Sequence, residues 1–208
     1  MIDLNAWIRT VPGAAIVPLF DTEPGSLTVR TRDIEKNGKT LLCRHPLMEE
    51  TMISLVEAGI ARPDFQGIFY IMGYDRGDQL VPLYVGKAER KGVKHDLSEN
   101  LRNIRRNRHK FARWGDGLDY HIGDLSHATF RFEGYRGPRR KYELWAQALF
   151  MQEDPPVLKE PVSLVLVPWY DGMVGPSGLK GSLPAVEKEV IALASVQHGA
   201  DLLNVDGR

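Results

Sequence analysis

Residues 67–87 read GIFYIMGYDRGDQLVPLYVGK, two apolar runs joined by the polar turn Asp75-Arg76-Gly77-Asp78. Each run has the length and composition of a strand, and so short a connection favours an antiparallel hairpin, since a parallel pair needs a crossover. The second run stops at Gly86 and turns basic at Lys87, Arg90 and Lys91. A lysine directly after a strand-ending glycine has three readings: a phosphate ligand, a catalytic group, or the polar end of a strand.

Outward from this hairpin, strands and helices are interspersed. Residues 27–33 (LTVRTRD) and 39–45 (KTLLCRH) predict a second hairpin turning at Asn37-Gly38. Residues 46–59 predict a helix opened by Pro46 and closed by Gly59. Downstream, DLSENLRNIRRNRHKFARW (96–114) predicts a helix, with Asp96 as cap and Glu99 completing a capping box. Residues 118–132 read as extended, 139–151 as helical, and PVSLVLVPWY (161–170) as a buried strand. LPAVEKEVIALASVQHG (183–199) predicts the last helix, capped by Ser182 and stopped by Gly199. The expected fold class is α+β, with a small, largely antiparallel sheet flanked by helices.

With 208 residues and 43% hydrophobic content, the chain can bury a core without covalent staples. Lys+Arg and Asp+Glu balance at 27 each, so any nucleic-acid contact depends on where the charge sits. Cys43 is the lone cysteine, which excludes an intrachain disulfide and a cysteine-built zinc framework. No apolar run is long enough to span a membrane, and the N-terminus has neither the basic nor the apolar segment of a signal peptide. A soluble cytoplasmic protein is the expectation. Gly38-Lys39-Thr40 ends like a phosphate-binding loop, but Asp33 stands where that loop requires glycine.

Two features carry chemistry. Between Lys87 and Arg113 lie ten Lys and Arg residues against Glu89, Asp96 and Glu99, a plausible footprint for a phosphate backbone or a solvated basic face. On a helical wheel, Leu97, Leu101, Ile104 and Phe111 form the apolar stripe. Arg108 falls inside it, Arg105 lies on its edge, and Arg102, Arg106, Lys110 and Arg113 face away. In the last helix Glu187 lies within the stripe formed by Leu183, Val186, Val190 and Leu193. A buried carboxylate needs a cation or a metal, so Arg108 and Glu187 could meet, as a structural ion pair or in an active site.

GIFYI (67–71), LYVGK (83–87), the basic segment and VEKEVIALASVQHGADLLN (186–204) together resemble the GIY-YIG nuclease superfamily, over roughly residues 65–208. The resemblance implies a three-stranded antiparallel sheet flanked by helices, with residues 1–64 as an N-terminal extension and an insertion at about 119–151. It implies a divalent-metal-dependent DNA endonuclease of the restriction, defence or repair type, using Mg²⁺ or Mn²⁺. DNA, double-stranded in the first instance, would be the partner, with oligomeric state open and a homodimer among the options. Tyr84 would sit near the attacking water or act as base, and Glu187 would hold the metal. A helix arginine would stabilise the phosphorane-like charge: the superfamily's usual place favours Arg102 or Arg105, the wheel favours Arg108, and Arg108 and then Arg105 are the expectation. Phe69, Lys87, Arg102, His109 and Asn204 would line the substrate. Phe69 stands where the superfamily usually has tyrosine, and this motivates a second expectation: a catalytically weakened nucleic-acid-binding protein with the same fold.

Overall fold

The computed structural model describes residues 3–34, 38–93, 95–134, 137 and 139–204; the expected turn at Asn37 and the basic residue Lys94 lie outside them. The elements are helix α1 (Leu4–Thr10), strands β1 (Ala15–Pro18), β2 (Thr31–Ile34) and β3 (Lys39–Leu42), helix α2 (Pro46–Ile60), strands β4 (Phe65–Asp75) and β5 (Leu80–Glu89), helices α3 (His121–Thr129) and α4 (Arg139–Leu149), strands β6 (Phe150–Glu153), β7 (Pro156–Leu158) and β8 (Val162–Tyr170), and helix α5 (Leu183–His198). The class is α+β.

The opening stretch forms the expected antiparallel hairpin, with Tyr70 opposite Gly86 and Phe69 opposite Lys87. Strand β8 pairs antiparallel on the other side of β4, which makes β4 central. Both faces of this sheet are covered, so its strands read as continuous apolar runs. Ile68, Tyr70, Met72 and Leu166 pack towards α2, α3 and α4. Phe69, Ile71, Val85, Val165 and Trp169 pack with α1 and α5.

The expectation of three strands is corrected to four, in the order β1-β8-β4-β5. Strand β8 would otherwise expose an unpaired edge, and β1 pairs with it from Ala15 opposite Leu166 to Pro18 opposite Ser163. At the other edge the C-terminal segment does a similar job. Leu203 N donates to Leu83 O at 2.7 Å, and the Asn204 side chain bonds both the N–H and the C=O of Val85 at 2.9 Å.

Two further readings are corrected. Residues 118–132 are not extended: His121–Thr129 is helical, and Ser126 Oγ donates to Ile122 O while accepting Leu42 N, which seats α3 against β3. Residues 96–114 do not form a helix, and the Asp96–Glu99 capping box is absent. The segment is a chain of turns with one short 3₁₀ turn at Phe111–Arg113. Asn103, Ala112 and Arg113 have φ of 53°, 48° and 76°, outside the helical region. Two physical reasons weigh against the helix. Arg102/Arg106 and Arg105/Arg108 would stack like charges one turn apart. Asparagine also offers the backbone another partner: Asn107 Nδ2 donates to Glu99 O at 2.9 Å. The apolar half of the wheel survives without the helix, since Leu101, Ile104 and Phe111 are all buried.

Candidate active site

A cleft of ≈ 760 Å³ opens beside the end of the β4–β5 hairpin. It is walled by Tyr70, Tyr84, Lys87, Arg113, His121 and Glu187, together with the turns around Lys91–Asn100. Alternation along β5 sends Tyr84 to one sheet face and Lys87 to the other. Gly86 lies between them, opposite Tyr70. A Cβ on Gly86 would stand 2.7 Å from the Tyr70 ring, so glycine here lets that ring lie against the strand.

On the α5 side, Gln66 of β4 anchors the helix by accepting the Leu183 N–H at 2.7 Å. Trp169 Nε1 donates to Gly181 O at 2.9 Å and fixes the approach to the helix. One turn into α5, Glu187 reaches the cleft, where Lys87 Nζ donates to its Oε2 at 2.6 Å. The expected Arg108–Glu187 pair is therefore replaced by Lys87–Glu187.

On the opposite face lies an aromatic box. Tyr84 packs on Trp145 with ring centres 4.6 Å apart, and His121 lies 4.8 Å from Trp114. His121 Nε2 is hydrogen-bonded to Tyr70 Oη at 3.0 Å and Nδ1 to Tyr142 Oη at 2.9 Å. Burial, and then the nearby charges of Lys141 and Arg113, hold the imidazole well below its ordinary pKa, so it is neutral. Burial foremost raises the Tyr70 phenol well above its usual value, so it is a hydroxyl and not a base. Lys141 Nζ lies over the Tyr84 ring, 4.6 Å from its centre, and 3.4 Å from its Oη.

Of the expected site residues, Tyr84, Lys87 and Glu187 line the cleft, with Lys87 and Glu187 in contact across a hundred positions of sequence. The other expected residues do not. Arg108 and Arg105 face outward and pair with Glu49 and Glu57 of α2, at 3.4 Å and 2.6 Å. Arg102 does not line the cleft and pairs with Glu99 at its rim. His109 is hydrogen-bonded to Asp116, with most of its side chain in solvent. Phe69 is fully buried against Trp7 on the α5 face and does not line this cleft. Asn204 is committed to the β5 edge. These placements follow from the missing helix: without it, the wheel has no meaning for where the arginines point.

The arginine that does line the cleft is Arg113, which lies over the Tyr120 ring at 5.1 Å. Its left-handed backbone turns it away from the direction a helix would give it. Tyr70 and His121 were also missed as site residues. Period-two alternation could have found Tyr70, since it shares a face with Tyr84; nothing local marks His121.

Among the described residues no group of three or more His, Cys, Asp or Glu side chains could hold a metal. Glu187 offers one carboxylate oxygen, Oε1, that has no protein hydrogen bond among those residues, while Oε2 is held by Lys87. That donor set fits a single hydrated Mg²⁺ or Mn²⁺ ion whose remaining ligands are waters and substrate oxygens, not a protein-built cage. Among the described residues no helix is long and apolar enough to cross a membrane. No family model matches the chain, and neither a curated protein nor a solved structure matches it.

Proposed function

We propose that this cleft is the active site of a divalent-metal-dependent endonuclease that hydrolyses DNA phosphodiester bonds. The observation that carries the reading is the meeting of Glu187 from α5 with Lys87 from β5, in a cleft that Tyr84 and Arg113 also line. One carboxylate, two cations and a phenol facing one volume are the groups that phosphodiester hydrolysis uses.

Lys87, Lys91 and Arg113 attract the phosphate and orient it. Arg113 then stabilises the extra negative charge of the five-coordinate phosphorus, and its guanidinium geometry suits paired phosphate oxygens. Tyr84 Oη positions the attacking water, and the Lys141 ammonium stabilises charge developing on that oxygen. Neutral Tyr70 and His121 keep the aromatic wall rigid and in place. Glu187 would hold the ion, which when bound neutralises phosphate charge and polarises the P–O bonds.

Supercoiled-plasmid nicking with Mg²⁺ or Mn²⁺ tests the proposal. Chelation should abolish nicking, and Glu187→Gln and Arg113→Met should each lower it by roughly 10²-fold or more. Full nicking by a folded Glu187→Gln protein would overturn it. The burial of Phe69 away from the cleft favours a second reading, a DNA-binding protein without cleavage. That reading requires steeply salt-dependent binding and no nicking with any divalent ion.

A further inference from the structure

Resting on the reading of the cleft as a metal-dependent phosphodiesterase site, we infer that Lys87 is a built-in counter-cation for Glu187. The entering phosphate draws Lys87 off the carboxylate, which then accepts a divalent ion. DNA and the ion therefore each strengthen the other's binding.

The geometry of one ion pair carries this. Lys87 and Glu187 sit on different elements and meet at 2.6 Å, with side-chain exposures of 24% and 17%. The pair is partly sheltered and borders the open cleft. A divalent ion at Glu187 Oε1 would stand within a few ångströms of the Lys87 ammonium on Oε2, and the repulsion between the two cations weakens the ion's hold until Lys87 is drawn away. Lysine suits an exchange role, because a flexible four-carbon stem carries a point charge with three rotatable donors.

The neighbours lead the same way. Lys110 Nζ is engaged by Glu99 Oε2 at 3.2 Å, so two of the cleft's cations are already paired with its own carboxylates. Lys91 and Arg113 also line the cleft, and Glu89 is the remaining carboxylate there. An incoming phosphate gives Lys87 new acceptors and brings oxygens that complete the shell of an ion. Since no cluster of acids among the described residues could hold that ion alone, the phosphate is part of its site. Ion and DNA must therefore bind with positive coupling, and the coupling is reciprocal.

Mn²⁺ binding to the full chain, followed by electron paramagnetic resonance, tests this without relying on turnover. Glu187→Gln measures Mn²⁺ bound elsewhere, including on DNA. Without DNA, Lys87→Met should bind Glu187-dependent Mn²⁺ at least about fivefold more tightly than the unsubstituted protein. A short duplex with phosphorothioate linkages should tighten Mn²⁺ binding to the unsubstituted protein by a similar factor, and to Lys87→Met by less. Unchanged or weaker Mn²⁺ binding by a folded Lys87→Met protein overturns the inference, as does the absence of Glu187-dependent Mn²⁺ on every protein. If Lys87→Met fails to fold, Lys87→Gln, which keeps a donor, is judged by the same criterion. A nicking assay on the same samples separates the two claims. Coupling without nicking rejects the endonuclease and leaves the exchange standing. Nicking without coupling rejects the exchange alone.

Discussion

The cleft has two walls built by opposite means. The β4–β5–β8 wall is held by backbone ladders and by apolar side chains packed on both faces. Among its described residues, the wall running from Gly92 to Tyr120 has almost no regular structure and is pinned by individual polar bonds. Ser98 Oγ donates to Glu89 O at 2.6 Å, Asn107 Nδ2 to Glu99 O, and Arg44 Nη1 to Trp114 O at 2.8 Å. Arg44 is itself buried, lies 4.5 Å from the centre of the Phe111 ring and pairs with Glu49. The first wall sets where Tyr84 and Lys87 stand. The second sets where Arg113 stands, and it does so from outside, through contacts made by distant residues.

The sharpest way to break this contrast is to strike the ladder wall. Trp169→Ala removes a fully buried ring together with its bond to Gly181, and should cost about 3–5 kcal/mol in urea unfolding, with cooperative loss of the whole fold. A small cost would show that α5 is anchored elsewhere. On the pinned wall, Arg44→Met leaves Trp114 O without its donor and Glu49 with only its longer contact to Arg108, and should cost about 1.5–3 kcal/mol. Hydrogen exchange should quicken around residues 108–116 while the sheet stays protected; uniform quickening would merge the two walls into one unit.

The pH response probes where the walls meet. His121 is neutral and buried in the fold, whereas an unfolded chain binds its proton near pH 6.5. Above that pH the two states hold the same number of protons on this group, so it adds no pH dependence. Below it the unfolded state gains a proton and stability falls, by up to about 1.4 kcal/mol per pH unit. His127, pushed down to about 4 by burial and then by Lys39, adds to the same loss between its unfolded value and pH 4. His121→Gln should flatten the acid limb of a plot of stability against pH, and an unchanged limb would assign it to other groups. The smallest effect is expected on the outside of the pinned wall. Arg105→Gln removes a solvent-exposed pair with Glu57 and should leave the melting temperature unmoved. If the basic face meets DNA, the same change lowers the salt dependence of binding, which a filter-binding series would read.

The difference between the walls is also the difference in what could be read from the chain. The hairpin, β8 and α5 were legible because apolar periodicity and turn residues act over a few positions, and burial on both sides of the sheet reinforces them. That much of the candidate site was legible too, as Tyr84, Lys87 and Glu187 lie on those elements. The turns at 96–113 imitate a helix in composition, with leucines and arginines at helical spacing. Their conformation is set instead by individual polar bonds, some local, such as Asn107 to Glu99, and some, such as Arg44 to Trp114, that no window of sequence contains. A helical wheel drawn on a segment that is not a helix then puts Arg108 and Arg105 on or beside the core face, where the structure has both exposed and paired with Glu49 and Glu57.

By itself the sequence determined an α+β chain whose central hairpin carries Tyr84 and Lys87 and whose last helix carries a carboxylate on its inward stripe. Only the tertiary structure decided that Lys87, and not Arg108, meets Glu187, and that Arg113 lines the cleft. It alone placed His121 between two tyrosines. The physical reason is range. Strand and helix patterns record burial between near neighbours in the chain, while an ion pair across a hundred residues exists only once the backbone has closed around it.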